Sequence, residues 1–392
     1  MSPTAAPFDA VVAGHICLDM IPDLSRVPSG KLLDVLVPGH TLLIGPAGFM
    51  TGGPVSNTGL ALHRLGIATR LIAKTGADPF GQVVGGIVEK IDPGLVSGLV
   101  RDPQASTAYT IILSPPGLDR IFIHSTGAND TFDAADIDFE LVRQARLFHF
   151  GYPPVMRRMY IDGGRGLVEV FRKAKETGVT TSLDMTYPDP ASESGRLDWV
   201  PILRDTLPHV DVFLPSFEEL TFFLRRTPDG SPLELDAATP ELLSDLGSQL
   251  LDMGVKIAVI KLGNRGLYVR TASQSALASM GRGAPADPAA WADRELRSSC
   301  FQVQVVGTTG SGDATIAGFL AALLRGMDAP QSATLANAVG ACNVEAADAL
   351  SGLRSWDETL ARITGGWHRC PLEAPAPGWQ PLAPGLWEKR LA

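Results

Sequence analysis

Residues 301–326 read FQVQVVGTTGSGDATIAGFLAALLRG, and the order of residue types in this stretch decides the fold class. The apolar run Phe301–Val306 predicts a strand, and a turn of small residues, Gly307–Gly312, follows it. A helix is predicted from Asp313, with Ile316, Phe319, Leu320 and Leu323 on its apolar face. A glycine-rich turn opening a helix aims backbone N–H groups and the positive end of the helix dipole at one point, which suits an anion. Asp313 stands at that same point. A carboxylate repels a phosphate unless it has a catalytic task, and taking the proton of an attacking hydroxyl is such a task. The N–H groups of Gly310, Ser311 and Gly312 would then receive the charge on the transferred phosphoryl group. A plain helix N-cap accounts equally well for an aspartate here.

Outward from this stretch, strand–helix alternation covers most of the chain. Strands are predicted at Asp9–Ala13, Arg70–Ala73, Leu147–Phe150, Thr180–Asp184, Asp211–Leu214, Lys256–Lys261 and Gln302–Val306. Helices are predicted at Asn57–Leu65, Gly81–Lys90, Asp162–Thr177, Pro240–Met253, Ala314–Arg325 and Gln331–Ala347. The fold class is therefore α/β: a three-layer sandwich around a mostly parallel sheet. Two regions break the alternation, Cys17–Met50 and the hairpin Ala108–Ser125 with its PPGLD turn. Both are assigned to a small β-sheet lid, with strands within 15–50 and 105–125. The stretch Ala276–Ser298 reads as an insertion between strands. Residues 1–365 form one domain in this reading, and 366–392 a Pro/Trp-rich extension expected to lie on the surface without regular structure.

Composition bounds the function. Of 392 residues, 45% are hydrophobic, enough for a large core, which excludes wholesale disorder. With 33 basic against 42 acidic side chains, nucleic acid and anionic membranes are not expected partners. Cys17, Cys300, Cys342 and Cys370 show no paired Cys-x-x-Cys spacing, so neither a disulfide framework nor a zinc site is expected, which suits a reducing cytoplasm. No Lys or Arg precedes Arg26 and no apolar run approaches the ~20 residues of a membrane helix, so neither a secretory signal nor a membrane span is expected. The seven histidines are dispersed, which predicts a metal-free apoprotein that recruits any metal with its substrate.

A second motif is FMTGGPVSNTGLALHRLG, Phe49–Gly66. Gly52 and Gly53 permit close backbone approach, and Asn57 stands where a helix begins. Asn57 is either the N-cap or, with Gly53, an edge that recognises hydroxyl groups. Asp19 offers the same choice between loop cap and hydroxyl acceptor. The two common nucleotide fingerprints are absent: Gly30-Lys31 lacks the rest of GxxxxGK[ST], and Thr315 replaces the last glycine of GxGxxG.

GGPVSNTGLALHRLG and GTTGSGDATIAGF, in this order and separation, resemble the two signature segments of the ribokinase-like (PfkB) carbohydrate kinases. The blocks GHICLD, KTGADPFG, GAND, DVFLPSFEEL and IKLGNRG agree with it, over residues 9–355. The resemblance implies an ATP-dependent, Mg²⁺-requiring kinase that phosphorylates a hydroxyl of a sugar or sugar-like compound. It implies that Asp313 is the general base and that Gly310, Ser311 and Gly312 form the anion hole. Asp19, Gly52, Gly53 and Asn57 would contact the acceptor's hydroxyls. Lys261, Gly263, Arg265 and Gly266 would contact ATP, and Asn337 would pack on adenine. Glu219 matches the acid of an Asn-x-x-Glu motif that organises Mg²⁺ through water, with Ser216 in place of the Asn. Gly307 replaces an aspartate that in relatives ligates a monovalent cation, so weak K⁺ dependence is expected, and Cys17 replaces a common asparagine. Two alternatives stay open: a nucleoside kinase of the same fold, using Phe49, Tyr109 or Phe122 around a base, and a non-catalytic sugar-binding regulator. Apolar residues and free edges on the lid suggest a homodimer joined there.

Overall fold

The segment AVVAG, β1 (Ala10–Gly14), is buried along its whole length, as a central strand covered on both faces must be. Val11 and Ala13 enter one hydrophobic core, with Phe148, Phe150 and Phe171; Ala10 and Val12 enter a second, with Leu60, Ile316 and Phe319. A period of two along the strand thus feeds both helix layers.

In the computed structural model, which describes residues 8–118, 120–227 and 230–390, the other strands follow in chain order. They are β2 (Cys17–Pro22), β3 (Ala47–Gly52), β4 (Thr69–Gly76), β5 (Leu99–Asp102), β6 (Tyr109–Leu113), β7 (Ile121–Ser125) and β8 (Leu147–Gly151). Then come β9 (Thr180–Asp184), β10 (Val212–Phe213), β11 (Ile257–Lys261), β12 (Leu267–Thr271), β13 (Arg294–Ser298), β14 (Gln380–Ala383) and β15 (Leu386–Arg390). The main sheet has the order β14-β15-β13-β12-β11-β10-β9-β8-β1-β4-β5, and β11 through β5 are parallel. The chain winds from β1 outward to β5 and then returns to β8 on the other side of β1. Such a reversal opens a crevice at the carboxyl ends of the strands, where α/β sheets bind ligands.

The lid is a separate four-stranded sheet, β3-β2-β6-β7. β2 leaves β1 after two residues, and β3 runs through Gly53 straight into the helix Pro54–Arg64, so the lid is hinged on the crevice itself. The expected lid stands. Residues 1–7, where no signal was expected, and Asp119 of the hairpin turn lie outside the described residues. Among the described residues no helix is long and apolar enough to cross a membrane.

Three expectations are corrected. Phe301–Val306 is not a strand: Phe301 alone bridges, to Arg369, and Val305 and Val306 are exposed. The reason is that the free edge beside it is occupied, because β15 pairs antiparallel with β13. The presumed insertion Ala276–Ser298 contains β13, whose sequence RELRS looks like a solvated loop yet is buried throughout. Two of its three charges are matched across the ladder: Glu295 is in register with Arg270 and pairs with it, and Arg294 meets Glu388 at 3.0 Å. The tail beyond 365 is not irregular either, since β14 and β15 complete the sheet and Trp379 packs into the core.

Candidate active site

The helix Ser311–Leu324 begins beside the crevice. Its N-cap is Gly310, at φ 71° in the left-handed region that a side chain disfavours. Asp313 is therefore the third residue of the helix and not its cap. Its carboxylate does not turn back to the backbone; Oδ2 accepts from Asn57 Nδ2 at 2.9 Å and Oδ1 from Thr58 Oγ1 at 3.2 Å. Tyr152 OH donates to it as well, at 3.1 Å. Ser311 N–H turns back to Thr308 O at 3.2 Å, whereas the N–H groups of Gly310, Gly312 and Asp313 meet no acceptor among the described residues. A nest of such donors is the geometry an anion needs.

Asn57 is not a cap. The N-cap of the Pro54–Arg64 helix is Gly53, at φ 85°, where a Cβ would press to 2.5 Å from His15 Nδ1. Asn57 lies one turn in, and the close packing of this helix on the Asp313 helix brings two residues 256 positions apart into a hydrogen bond. Its Nδ2 is spent on Asp313, while its Oδ1 is buried without a partner, an acceptor waiting for a donor. Asp19 is on β2 rather than in a loop, and its carboxylate lies over Gly52, where a Cβ would sit 2.3 Å from Oδ2. Asp19, Gly52, Gly53 and Asn57 thus gather on one wall of the crevice, next to Asp313.

On the other side, β9 and β11 end in Asp184 and Lys261. Lys261 Nζ contacts Asp184 Oδ1 at 2.8 Å, both nearly removed from solvent. Burial pushes the carboxyls of Asp184, Glu219 and Asp313 above the ordinary range, and Lys261 pulls each back. Burial alone would lower the Lys261 ammonium, but Asp184 and Glu219 overcome it and hold it above its usual value. Glu219 forms a capping box with Ser216: Oε2 accepts Ser216 N–H at 2.7 Å, and Ser216 Oγ accepts Glu219 N–H. Its Oε1 carries no hydrogen bond among the described residues.

A cavity of about 510 Å³ opens behind the Asp313 helix. Lys261, Gly263, Gly266 and Asn337 line it, with Ser311 and Gly312 at its inner end. Asn337 donates to Ser298 O and Oγ, which holds its amide against the cavity wall. Arg265 is not in the lining; its guanidinium is held by Leu235 O and Asp236. Cys370, from the tail, is in the lining.

Sequence reading missed Thr58, Tyr152, Asp184 and Arg120. Asp184 and Tyr152 had a signal, since both stand at the carboxyl ends of parallel strands. Tyr152 has φ 65° in the left-handed region, a conformation that marks functional corners. Arg120 had none: it is one arginine after a lid turn, yet it donates to Thr308 and Thr309 Oγ1 and ties the lid to the Gly307–Gly312 turn.

Residues 12–356 match the family described as pfkB family carbohydrate kinase. Fructokinase-1 of Zea mays is 25% identical over 375 residues, 92% of this chain and 99% of that protein. A sugar kinase of Archaeoglobus fulgidus is 25% identical over 294 residues, 75% of this chain and 98% of its own. Among solved structures, Arabidopsis thaliana ribokinase complexed with ribose and ATP superposes with a TM-score of 0.67 at 21% identity, covering 90% of this chain and 97% of that one. Fructokinase of Xylella fastidiosa with bound ATP gives 0.67 at 20%, covering 91% and 98%. The fold is that of the ribokinases. With the family match spanning both signature segments and the crevice between them, this chain belongs to the pfkB family of carbohydrate kinases and is a phosphotransferase with a hydroxyl acceptor.

Proposed function

We propose that the chain transfers the γ-phosphate of ATP to a hydroxyl of a sugar or sugar-like acceptor, with Asp313 as the general base. The carrying observation is the position of Asp313. It lies between the wall of Asp19, Gly53 and Asn57, which offers acceptors to hydroxyl groups, and a helix N-terminus whose N–H groups face the nucleotide cavity. A hydroxyl bonded to the orphan Asn57 Oδ1 would be within reach of the carboxylate that Asn57 Nδ2 already holds. Asp313 takes the proton, and the N–H groups of Gly310 and Gly312 receive the phosphoryl charge. Arg120 closes the lid turn onto the same loop, which keeps water from the phosphate.

Adenine and ribose fit the cavity between Gly263, Gly266 and Asn337. Mg²⁺ takes oxygen ligands and keeps water, and the open Glu219 Oε1 fits that chemistry. When bound, it would neutralise charge on the triphosphate. Cytoplasmic residence belongs to the same reading, supported by four free cysteines. The nucleoside alternative is less well supported: Tyr109 packs edge-on to Phe80, and Phe49 and Phe122 are mostly exposed. A sensor would have no use for the Asp313 network. A coupled assay of ADP release over a panel of sugars and nucleosides tests the assignment. Turnover confined to nucleosides, or none on any acceptor, would sink it.

Three further results are expected. Asn57→Ala should lower kcat and raise the acceptor KM, because it removes a contact and loosens the base; Asp19→Ala should raise KM. A stability loss of ~1 kcal/mol with unchanged kinetics would reduce either residue to a structural hydrogen bond. K⁺ should stimulate less than ten-fold over a large organic cation at equal ionic strength. A Cβ on Gly307 would lie 2.9 Å from Ala346 O, so the backbone leaves no room for a carboxylate there. Asp348 Oδ1 is held by the N–H groups of Leu350 and Ser351, which ties that oxygen to its own loop. Finally, Phe49, Ile121, Phe122 and Ile123 are exposed on the lid, which supports a homodimer through that sheet. Light scattering that returns a monomer at micromolar concentration would refute it.

A further inference from the structure

Where the lid joins β1, side chains from a loop and two strands converge outside the catalytic network. His15 follows β1, Cys17 opens β2 and His124 stands on β7. His15 Nε2 and His124 Nε2 are 3.3 Å apart, and one ligand atom from each of the three residues falls within 4.8 Å of the others. Two nitrogens bound tetrahedrally to Zn²⁺ at about 2.05 Å are about 3.3 Å from each other, so the imidazoles already stand at the edge length of such a site.

The surroundings fit the same chemistry. His124 Nδ1 is bonded to Thr110 Oγ1 at 3.0 Å, which fixes the ring with Nε2 inward, as a ligand's outer hydrogen bond does. Thr110 Oγ1 also lies 3.6 Å from Cys17 Sγ, so one hydroxyl steadies two of the three donors. His15 is buried, and its Nδ1 has no partner. Cys17 Sγ is 3.2 Å from Asp19 Oδ1, and the acid balances part of an added cation's charge.

We propose that His15, Cys17 and His124 form a binding site for a thiophilic divalent cation of the zinc class. Two imidazoles and a thiolate suit zinc and reject Mg²⁺, so this site is distinct from the oxygen donors at Glu219. Binding releases the thiol proton of Cys17 to solvent and forms the metal–sulfur bond, with no change of oxidation state. Three protein ligands leave one tetrahedral position for water. The ion would stand beside Asp19 and Gly53, on the wall assigned above to the acceptor, so its occupancy excludes the acceptor; this consequence rests on that assignment.

The test uses Co²⁺ as a coloured substitute on the metal-free full-length protein. Expected is saturation at one equivalent with a near-ultraviolet thiolate-to-cobalt band and visible bands of a tetrahedral ion, all reversed by Zn²⁺. Cys17→Ser should lose the near-ultraviolet band, and His124→Ala, altered on the exposed lid, should weaken binding at least ten-fold. A Cys300→Ser/Cys370→Ser variant should keep both. No thiolate band, or one that survives Cys17→Ser, overturns the site, whatever the kinase activity. In the coupled assay at saturating Mg-ATP, Zn²⁺ should raise the apparent KM for the acceptor without lowering kcat, an effect lost in His124→Ala. An intact cobalt band without that competition overturns the shared location and leaves the kinase reading untouched.

Discussion

Asp313→Asn lowers kcat by about 10²–10⁴-fold, the span a positioned general base supplies, while ATP binding survives. The amide has the shape of the carboxylate but cannot take the acceptor's proton. ATP binding survives because the cavity is lined by Ser311 and Gly312 and not by Asp313. The pH profile carries the same information. Burial raises the Asp313 carboxyl above the ordinary aspartate value of about 3.8, although Asn57, Lys261, Tyr152 and Thr58 pull it back. A base works only when deprotonated, so kcat/KM of the native enzyme rises with pH through that elevated value. The acidic limb assigned to Asp313 should vanish in the variant. Calorimetric ATP titration and a coupled rate assay decide the matter; a variant that keeps most of its kcat reduces Asp313 to a structural hydrogen-bond acceptor.

Lys261→Met removes the cation that Asp184, Glu219 and Asp313 share. Breaking a buried pair by deleting one partner costs about 3–5 kcal/mol, because the remaining charge keeps its desolvation penalty. Here three raised carboxyls lose their common compensation, so the upper part of that range is expected. The sign with pH follows from linkage. A carboxyl whose folded value lies above its unfolded one binds its proton more tightly when folded, so stability is greatest at low pH and falls as pH rises through the folded value. The deficit of Lys261→Met against the native protein, read from denaturant midpoints, should therefore widen from pH 5 to pH 8. Adding Asp184→Asn should restore part of it, as coupled neighbours do. Activity should fall by about 10²–10³-fold, since Lys261 Nζ lies 3.7 Å from the position of a Cβ on Gly312, at the start of the Asp313 helix. A deficit independent of pH would mean that the three carboxyls do not share this cation.

The α/β class, the lid and the positions of most parallel strands along the chain were legible because each rests on local signals. AVVAG can only be a buried strand, Gly-rich turns break helices, and the Ala108–Ser125 hairpin announces itself by alternation. Asp313 was legible for the same reason, standing at the mouth of a glycine turn. β13 was not. RELRS is as polar as a loop, and only cross-strand partners on β12 and β15 make its burial affordable. Phe301–Val306 failed in the opposite sense, apolar enough for a strand but left without an edge once the tail had taken it.

The chain alone thus determined which segments alternate, where the two signature motifs lie and which carboxylate stands at the glycine-rich turn, since all three depend on neighbours within a few residues. What each polar side chain does was decided by tertiary structure. Asn57 and Asp313 both looked like caps, and became partners only when two helices packed face to face. Asp184 meets Lys261, 77 positions away, beside the crevice, and His15 and His124 met only because the lid folds back over β1. A hydrogen bond or ion pair between distant residues leaves no periodicity in sequence; its energy depends on a desolvated geometry that exists only after the layers have packed.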